Sequence, residues 1–455
     1  MKYTCHHTDK WIFANTDLAE EQLEKSSKAL IIIAGASSSG KSFLAASLKK
    51  AFEGAGKRCL TFSLDQYNFG LSGIIPNKVN LNYFHSSLEN MPEIIKRIKK
   101  IIINVPFDKK YDWGTLPKIK EEIKDLLPED KLDVFIPALN EEWKKLNFDE
   151  PTVYNLPEAA EDIKLLFDNQ AIYAKNYSKI TSERMPSDVL WDGKNYDVII
   201  VEGIYALNPN FVTRVASFSP VKNFIEGNPK TLFLRRIIRD KKLTSASSAF
   251  TISLYFKYIL DSYRKTILPN KSQADIVLEN DFSFHELREG DLYTSRDTFP
   301  VENIEAIKQL KKDSKIESVS YQKDFYFTVP GEKLENQNLL RFRERSLDGG
   351  KTYIPGSLVH KGAPKFRMDN KIIRPINVLL DENDISHVWS SNDDVIFSFL
   401  DNGFEISKAE EKIKTRLNYK GQEFSLYEVR GKQAYLEIVS SPKEEIISEV
   451  KNIVK

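Results

Sequence analysis

Gly35-Ala36-Ser37-Ser38-Ser39-Gly40-Lys41-Ser42 constrains this chain more than any other stretch, because it fills every fixed position of the pattern G-x-x-x-x-G-K-[ST]. An apolar run, Leu30-Ile31-Ile32-Ile33-Ala34, precedes it, and a helix-like run, Phe43-Leu44-Ala45-Ala46-Ser47-Leu48, follows. Strand, glycine loop and helix in that order are the context the pattern needs. Its glycines let the backbone wrap a phosphate with N–H groups turned inward, and the helix N-terminus adds the positive end of its dipole. All eight residues then line a phosphate cradle, with Lys41 reaching the β/γ-phosphates and the Ser42 hydroxyl holding Mg²⁺.

The chain has 455 residues, enough for two or three domains. Lys and Arg number 66 against 65 Asp and Glu, so no overall basic charge points to a nucleic-acid partner. Cys5 and Cys59 are the only cysteines, which excludes a disulfide framework and fits a reducing cytoplasm. The polar opening, Met1 to Lys28, shows no signal peptide, and no apolar run is long enough to span a bilayer, so no membrane partner is expected. Cys5-His6-His7 has no second cluster to complete a metal site and reads as part of a flexible N-terminal extension over 1–28.

From Ala29 to Asp281 apolar runs alternate with helical patterns, as in βαβ units on a mostly parallel sheet. Leu30–Ala34, Cys59–Leu64 and Val198–Val201 are the expected buried strands, each ending where a ligand of an α/β sheet binds. Ile94, Ile98, Ile101 and Ile102, then Leu116, Ile119 and Ile123, recur at helical spacing, which predicts a helical insertion over about 69–146. Past Asp281 the texture becomes short alternating runs separated by glycine turns. Phe325–Val329, Leu340–Arg345, Thr352–His360, Val395–Leu400, Ile413–Tyr419, Phe424–Val429 and Tyr435–Val439 are read as strands of an antiparallel domain. The expected organisation is therefore an α/β domain over 29–288 followed by a second, antiparallel β-rich domain over 289–455.

Three carboxylate or guanidinium elements surround the phosphate loop. Asp65, in Ser63-Leu64-Asp65-Gln66-Tyr67, stands at a strand end where it can accept a hydroxyl proton and help hold Mg²⁺. Glu202 closes the strand Val198-Ile199-Ile200-Val201 as a metal-side acid. Arg235 and Arg239, four apart on a predicted helix, share a face suited to clamping phosphates. Taken singly, Asp65 also reads as a strand-end cap, Glu202 as a turn acid and the arginines as a solvated helix face.

In these pieces the sequence resembles the uridine kinase/phosphoribulokinase family of P-loop kinases. Asn147-Phe148-Asp149-Glu150-Pro151, Glu202-Gly203-Ile204, Arg235–Asp240 and Ala274-Asp275-Ile276-Val277 continue the match in family order. The resemblance implies ATP and Mg²⁺, Asp65 as general base, a lid arginine with Lys41 on the phosphates, and Ser42 with Glu202 near the metal. It implies Asp65, Tyr67, Phe148, Tyr177 and Arg184 on the acceptor side. Tyr177-Ser178-Lys179-Ile180-Thr181-Ser182-Glu183-Arg184 departs from the family, placing Ser182 where a base-reading histidine stands, so uridine is not the expected preferred acceptor. The lid segment Lys241-Lys242-Leu243-Thr244-Ser245 also lacks the usual Glu-Arg-Gly.

In Leu340-Arg341-Phe342-Arg343-Glu344-Arg345 the arginines share one strand face, and Lys412-Ile413-Lys414-Thr415-Arg416 repeats the pattern. Cations on one side read either as a solvated sheet face or as a lumen for polyanions. With Lys323–Pro330, His360-Lys361-Gly362 and Tyr435-Leu436-Glu437-Ile438 added, the stretch resembles a CYTH, or triphosphate tunnel, domain. That resemblance implies an α+β antiparallel barrel, an eight-stranded tunnel lined by Arg341, Arg343, Lys361, Lys414 and Arg416, with Glu437 at its acidic strand end. It suggests inorganic polyphosphate or a nucleoside triphosphate as ligand. The paired glutamates of the family's first strand are missing from Thr294-Ser295-Arg296-Asp297-Thr298, and Val439 replaces another. Kinase–CYTH fusion proteins share this layout. The expectation is an ATP-dependent cytoplasmic phosphotransferase acting on a small hydroxyl-bearing acceptor, with a polyphosphate-binding second domain; a homo-oligomer is compatible with it. A pyrophosphatase or triphosphatase, and a non-catalytic nucleotide-binding scaffold, remain the alternatives.

Overall fold

Residues 3–243, 247–280, 292–295, 298–331, 339–346, 348–361, 365–366, 372–439 and 443–455 are described in the computed structural model, and the chain divides into two compact units, Met1–Asp281 and Phe282–Lys455. In the first unit six parallel strands lie in the order Tyr3–Cys5, Ile276–Glu279, Val221–Glu226, Ala29–Gly35, Val198–Glu202, Cys59–Ser63. Every residue of Ala29–Gly35 is buried, the reason this strand reads as a continuous apolar run rather than an alternation. Leu30 and Ile32 join Phe62, Ile163 and Tyr205 in one core. Ile31 and Ile33 join Leu44, Leu48 and Trp11 in another.

The N-terminal segment, expected to be flexible, is instead built into this unit. Tyr3–Cys5 pairs with Ile276–Glu279 at the sheet edge. The helix Thr8–Lys25 buries Trp11, Asn15 and Ala19, a single stripe at four-residue spacing within an otherwise polar sequence. The Trp11 indole N–H and the Asn15 amide both donate to Asn223 Oδ1, at 2.8 and 3.0 Å. Among the described residues no group of three or more His, Cys, Asp or Glu is arranged to hold a metal ion.

Helices Leu71–Phe84, Met91–Ile102, Leu116–Ile123 and Glu129–Lys144 follow the Cys59–Ser63 strand. Ile75, Ile94, Ile98, Ile119, Phe135 and Leu139 are fully buried in a core of their own.

The second unit carries an antiparallel sheet. Its path runs Leu292–Ser295, Ile372–Leu380, Ile354–Lys361, Leu339–Ser346, Lys315–Thr328, Glu405–Tyr419, Gln422–Val429, Tyr435–Ile438, Thr298–Pro300. Helices Ile304–Asp313 and Glu444–Val454 cover one face, packing Ile307, Leu310, Ile447 and Val450 on Leu417, Phe424, Leu426 and Leu436. Val395–Leu400, expected as a strand, is helical within Asn392–Leu400. Its β-branched and aromatic content favours a strand, but Ser391 Oγ accepts the Asp394 N–H at 3.1 Å as an N-cap. Val395 and Phe399, one turn apart, are its buried residues.

Candidate active site

The phosphate loop joins the carboxyl end of Ala29–Gly35 to the helix Lys41–Gly54. Its turn depends on two glycines. Gly35 has φ 148° and a Cβ there would lie 2.3 Å from the Ile225 carbonyl oxygen. Gly40, at φ 95°, precedes the helix with the Asn280 amide against it. Asn280 Nδ2 donates to the Ser39 carbonyl at 2.6 Å, so the strand end at 280 clasps the loop.

Lys41 is almost fully buried and donates to the Ala36 carbonyl at 2.8 Å. Burial pulls its ammonium down to about 8, against the opposing charges of Glu202 and Asp65. Glu202 Oε1 accepts two hydroxyls, from Ser63 at 2.7 Å and Ser42 at 3.2 Å. Burial, reinforced by the Asp65 charge, raises its pKa. Asp65 sits on the short helical turn Leu64–Tyr67 immediately after the Cys59–Ser63 strand. Burial pushes its carboxyl up, but Lys179, whose Nζ is 2.8 Å from Oδ2, together with Lys41 and Arg239 more than reverses this and holds the pKa below the ordinary value. Lys41, Ser42, Asp65 and Glu202 thus converge beyond the ends of three adjacent parallel strands.

Arg239 donates to Ser37 Oγ at 3.0 Å and pairs with Asp240 at 2.7 Å. Arg235 donates to the Asn280 carbonyl at 3.1 Å. Both expected arginines therefore reach the loop or its clasp. Arg236, on the same helix, pairs with Asp149 at 2.8 Å in the interior. Thr244 and Ser245 of the lid segment lie outside the described residues.

The acceptor-side expectations divide. Tyr177 is part-buried near Asp65, whose charge adds to the burial that raises its phenol. Arg184 pairs with Glu158 at 3.2 Å. Tyr67 is fully buried and donates to Asp162 Oδ2 at 2.5 Å, stacked on Phe62, so its hydroxyl is spent on the core. Phe148 packs against Phe107 at 5.6 Å between ring centres, in the core of the helices that follow the Cys59–Ser63 strand. Sequence reasoning missed Lys179 and Ser63 as partners of the two carboxylates. Position alone offered a signal, since Ser63 precedes Asp65 by two and Lys179 lies in the hairpin segment before Arg184.

In the second unit the cations gather on one carboxylate. Asp324, fully buried, accepts from Arg343 at 2.6 and 2.7 Å and from Lys412 at 2.5 Å, with Arg341 Nη1 at 3.7 Å. Burial raises its carboxyl, but these three cations hold it far below the ordinary range. Burial and the charges of Arg341 and Arg343 lower Lys361 to about 7. Lys414 lies over the Tyr427 ring, 5.4 Å from its centre, and Glu437 is buried opposite Ser425. Arg416 shares the alternation with Lys412 and Lys414 but is exposed. Sequence alone does not single out Asp324, and it places Lys412 on the cationic strand face but not among the expected lining residues. Gly362, Arg296 and Asp297 lie outside the described residues.

The sequence model of the phosphoribulokinase/uridine kinase family matches residues 130–281, a stretch that includes Glu202 and the arginine helix but not the phosphate loop or Asp65. Uridine kinases of Staphylococcus aureus strains JH9 and Newman are each 32% identical over 138 residues, 30% of this chain. The chain spans 64% of the length of these curated relatives. A structure described as a possible uridine kinase from Bacillus stearothermophilus is 12% identical, covering 55% of this chain and 88% of its own at a TM-score of 0.27. The PH1819 protein of Pyrococcus horikoshii OT3 is 18% identical over 36% of this chain and 86% of its own, at a TM-score of 0.25. No helix among the described residues is long and apolar enough to cross a membrane. The first unit is thus a parallel-sheet α/β unit with a phosphate loop and sequence similarity to the uridine kinase family, followed by an antiparallel-sheet unit.

Proposed function

We propose that the first unit is an ATP-dependent phosphotransferase acting on a small hydroxyl-bearing acceptor. The observation that carries this is the convergence of Lys41, Ser42, Asp65 and Glu202 beside the phosphate loop. The acceptor hydroxyl gives its proton to Asp65, its oxygen bonds to the γ-phosphorus, and the bond to the bridging oxygen breaks to release the nucleoside diphosphate. Arg239 and Lys41 hold the phosphate charge. The donor set fits Mg²⁺, which takes one or two carboxylates and completes its shell with phosphate and water: Ser42 Oγ and Glu202 would hold it, with Asp65 near. Bound there, the ion neutralises charge on the transferring phosphoryl group. Lys41→Ala removes the cation under the β/γ-phosphates and is expected to abolish turnover of ATP. Unchanged ATP binding and turnover in that variant would refute the donor site.

For the second unit we infer a tunnel that binds inorganic polyphosphate or a nucleoside triphosphate. Its two edge strands, Leu292–Ser295 and Thr298–Pro300, are separated by residues 296–297 alone. Three Cα steps of about 3.8 Å separate Ser295 from Thr298 along the chain, roughly 11 Å at full extension, which supports a sheet curled towards closure. Counting the two as one interrupted strand leaves a circuit of eight. Arg341, Arg343, Lys361, Lys412 and Lys414 share one face with Asp324, Glu410 and Glu437, an excess of cations over carboxylates that a polyanion relieves. A bound polyanion restores the charged form of Lys361, so binding takes up a proton above the free value of about 7. With the donor site filled by a non-hydrolysable nucleotide, tripolyphosphate affinity should fall as pH rises from about 6 to about 8, and calorimetry in buffers of different ionisation enthalpy should register proton uptake. A flat profile would exclude Lys361 from the site.

A further inference from the structure

Among the described residues, Lys179 is paired with Asp65 and has no task in the phosphoryl-transfer reading. It stands at the start of the turn joining the short strands Asn176–Ser178 and Glu183–Met185. Its side chain is 47% exposed, against 27% for Asp65. Asp65 is fixed on a helical turn at a strand end, whereas Lys179 rides a four-carbon stem on a hairpin. Ile180, beside it, is largely exposed. Ser182, at φ 54° and buried, offers no ring to read a nucleobase.

An acceptor hydroxyl delivered to Asp65 therefore arrives beside an ammonium, with its remaining atoms against the hairpin. A neutral acceptor must share the carboxylate with Lys179 and can take from the cation only a hydrogen bond to a neutral oxygen, weaker than one to an anion. An acceptor bearing its own carboxylate or phosphate gives Lys179 a second partner and frees Asp65 Oδ2 to receive the hydroxyl. The neighbouring cations have other partners: Arg184 is paired with Glu158, and Lys175 with Glu158 at 3.1 Å. We propose that the acceptor is an anionic alcohol, carrying a carboxylate or phosphate beside the reacting hydroxyl, and that Lys179 is the specificity-determining residue that recognises this anion. This rests on the phosphotransferase reading above.

The full chain is loaded with a non-hydrolysable ATP analogue and Mg²⁺, then titrated calorimetrically with matched probes: glycerol against glycerate, ribose against ribose 5-phosphate, and uridine as a neutral nucleoside. The expected result is at least about tenfold tighter binding of the anionic member of a pair, the worth of one charge-assisted contact. Lys179→Ala should erase that preference and Lys179→Arg should keep it. Whether glycerate or ribose 5-phosphate gains more distinguishes a carboxylate from a phosphate. Neutral probes binding as tightly as anionic ones, no anionic probe binding at millimolar concentration, or an anion preference intact in Lys179→Ala would each overturn the proposal. So would a Lys179→Ala effect confined to the affinity of the nucleotide analogue. Failure of the analogue to bind the wild-type chain counts against the phosphotransferase reading itself, and binding of the analogue without anion preference counts against Lys179 alone.

Discussion

Asp65→Asn is expected to leave nucleotide affinity within a small factor of wild type and to reduce phosphoryl transfer by about 10²–10⁴-fold. The substitution keeps the shape of the side chain and leaves Lys179 an oxygen to donate to, at the position where its Nζ now lies 2.8 Å from Oδ2. What it removes is the capacity to take the hydroxyl proton. Lys179, Lys41 and Arg239 keep the wild-type carboxylate ionised despite its burial, so the base is in its working form at neutral pH. Fluorescent-nucleotide titration separates binding from chemistry, and initial rates with whichever acceptor proves best give the second number. A rate near wild type would make Asp65 a structural partner of Lys179 and move the base elsewhere.

The second large effect concerns stability. Asp324→Ala should destabilise the Phe282–Lys455 unit by about 3–5 kcal/mol, the usual consequence of removing one member of a buried charge cluster. Arg343 and Lys412 both donate to this carboxylate and Arg341 stands beside it, so its loss leaves three cations facing one another with little water. Hydrogen exchange along Leu339–Ser346 and Glu405–Tyr419 reports the loss locally, which matters because two units need not unfold together. Tripolyphosphate should restore much of the protection in the variant, since an external anion replaces the missing charge. Protection equal to wild type would mean that the cluster is held by the surrounding sheet rather than by Asp324. The carboxylate's folded pKa lies below its unfolded one. Its contribution is therefore complete above the ordinary Asp range and is lost as pH falls through that range towards the folded value.

Sequence alone made the parallel core legible because a fully buried strand leaves an unmistakable signature. Leu30–Ala34 and Val198–Val201 are continuous apolar runs, and both are central strands. Catalytic candidates at strand ends were legible for the same reason: a motif anchored to a strand inherits its position. Tyr67 was not, because spacing along the chain says nothing of which way a helical turn aims each side chain; Asp65 and Tyr67 share a turn, yet Tyr67 points inward to Asp162. Lys179 belongs to a hairpin brought to Asp65 from more than a hundred positions away, a contact that no local pattern encodes. Thr8–Lys25 escaped notice because Trp11, Asn15 and Ala19 form a stripe that averages out in a polar window. Val395–Leu400 misled by composition, where the capping serine and the four-residue spacing carried the answer.

The pairing of Tyr3–Cys5 with Ile276–Glu279 has a consequence for how the polypeptide is made. His6 and Glu279, which meet at 2.8 Å, are 273 residues apart. At about 5–20 residues per second a ribosome needs roughly a quarter of a minute to a minute to cover that interval. Throughout it the first strand has no neighbour and Trp11 waits for Asn223, itself 212 residues downstream. The Tyr3–Cys5 edge therefore forms only after synthesis has passed Ile276–Glu279, while the Trp11–Asn223 contact has its partner about fifty residues earlier.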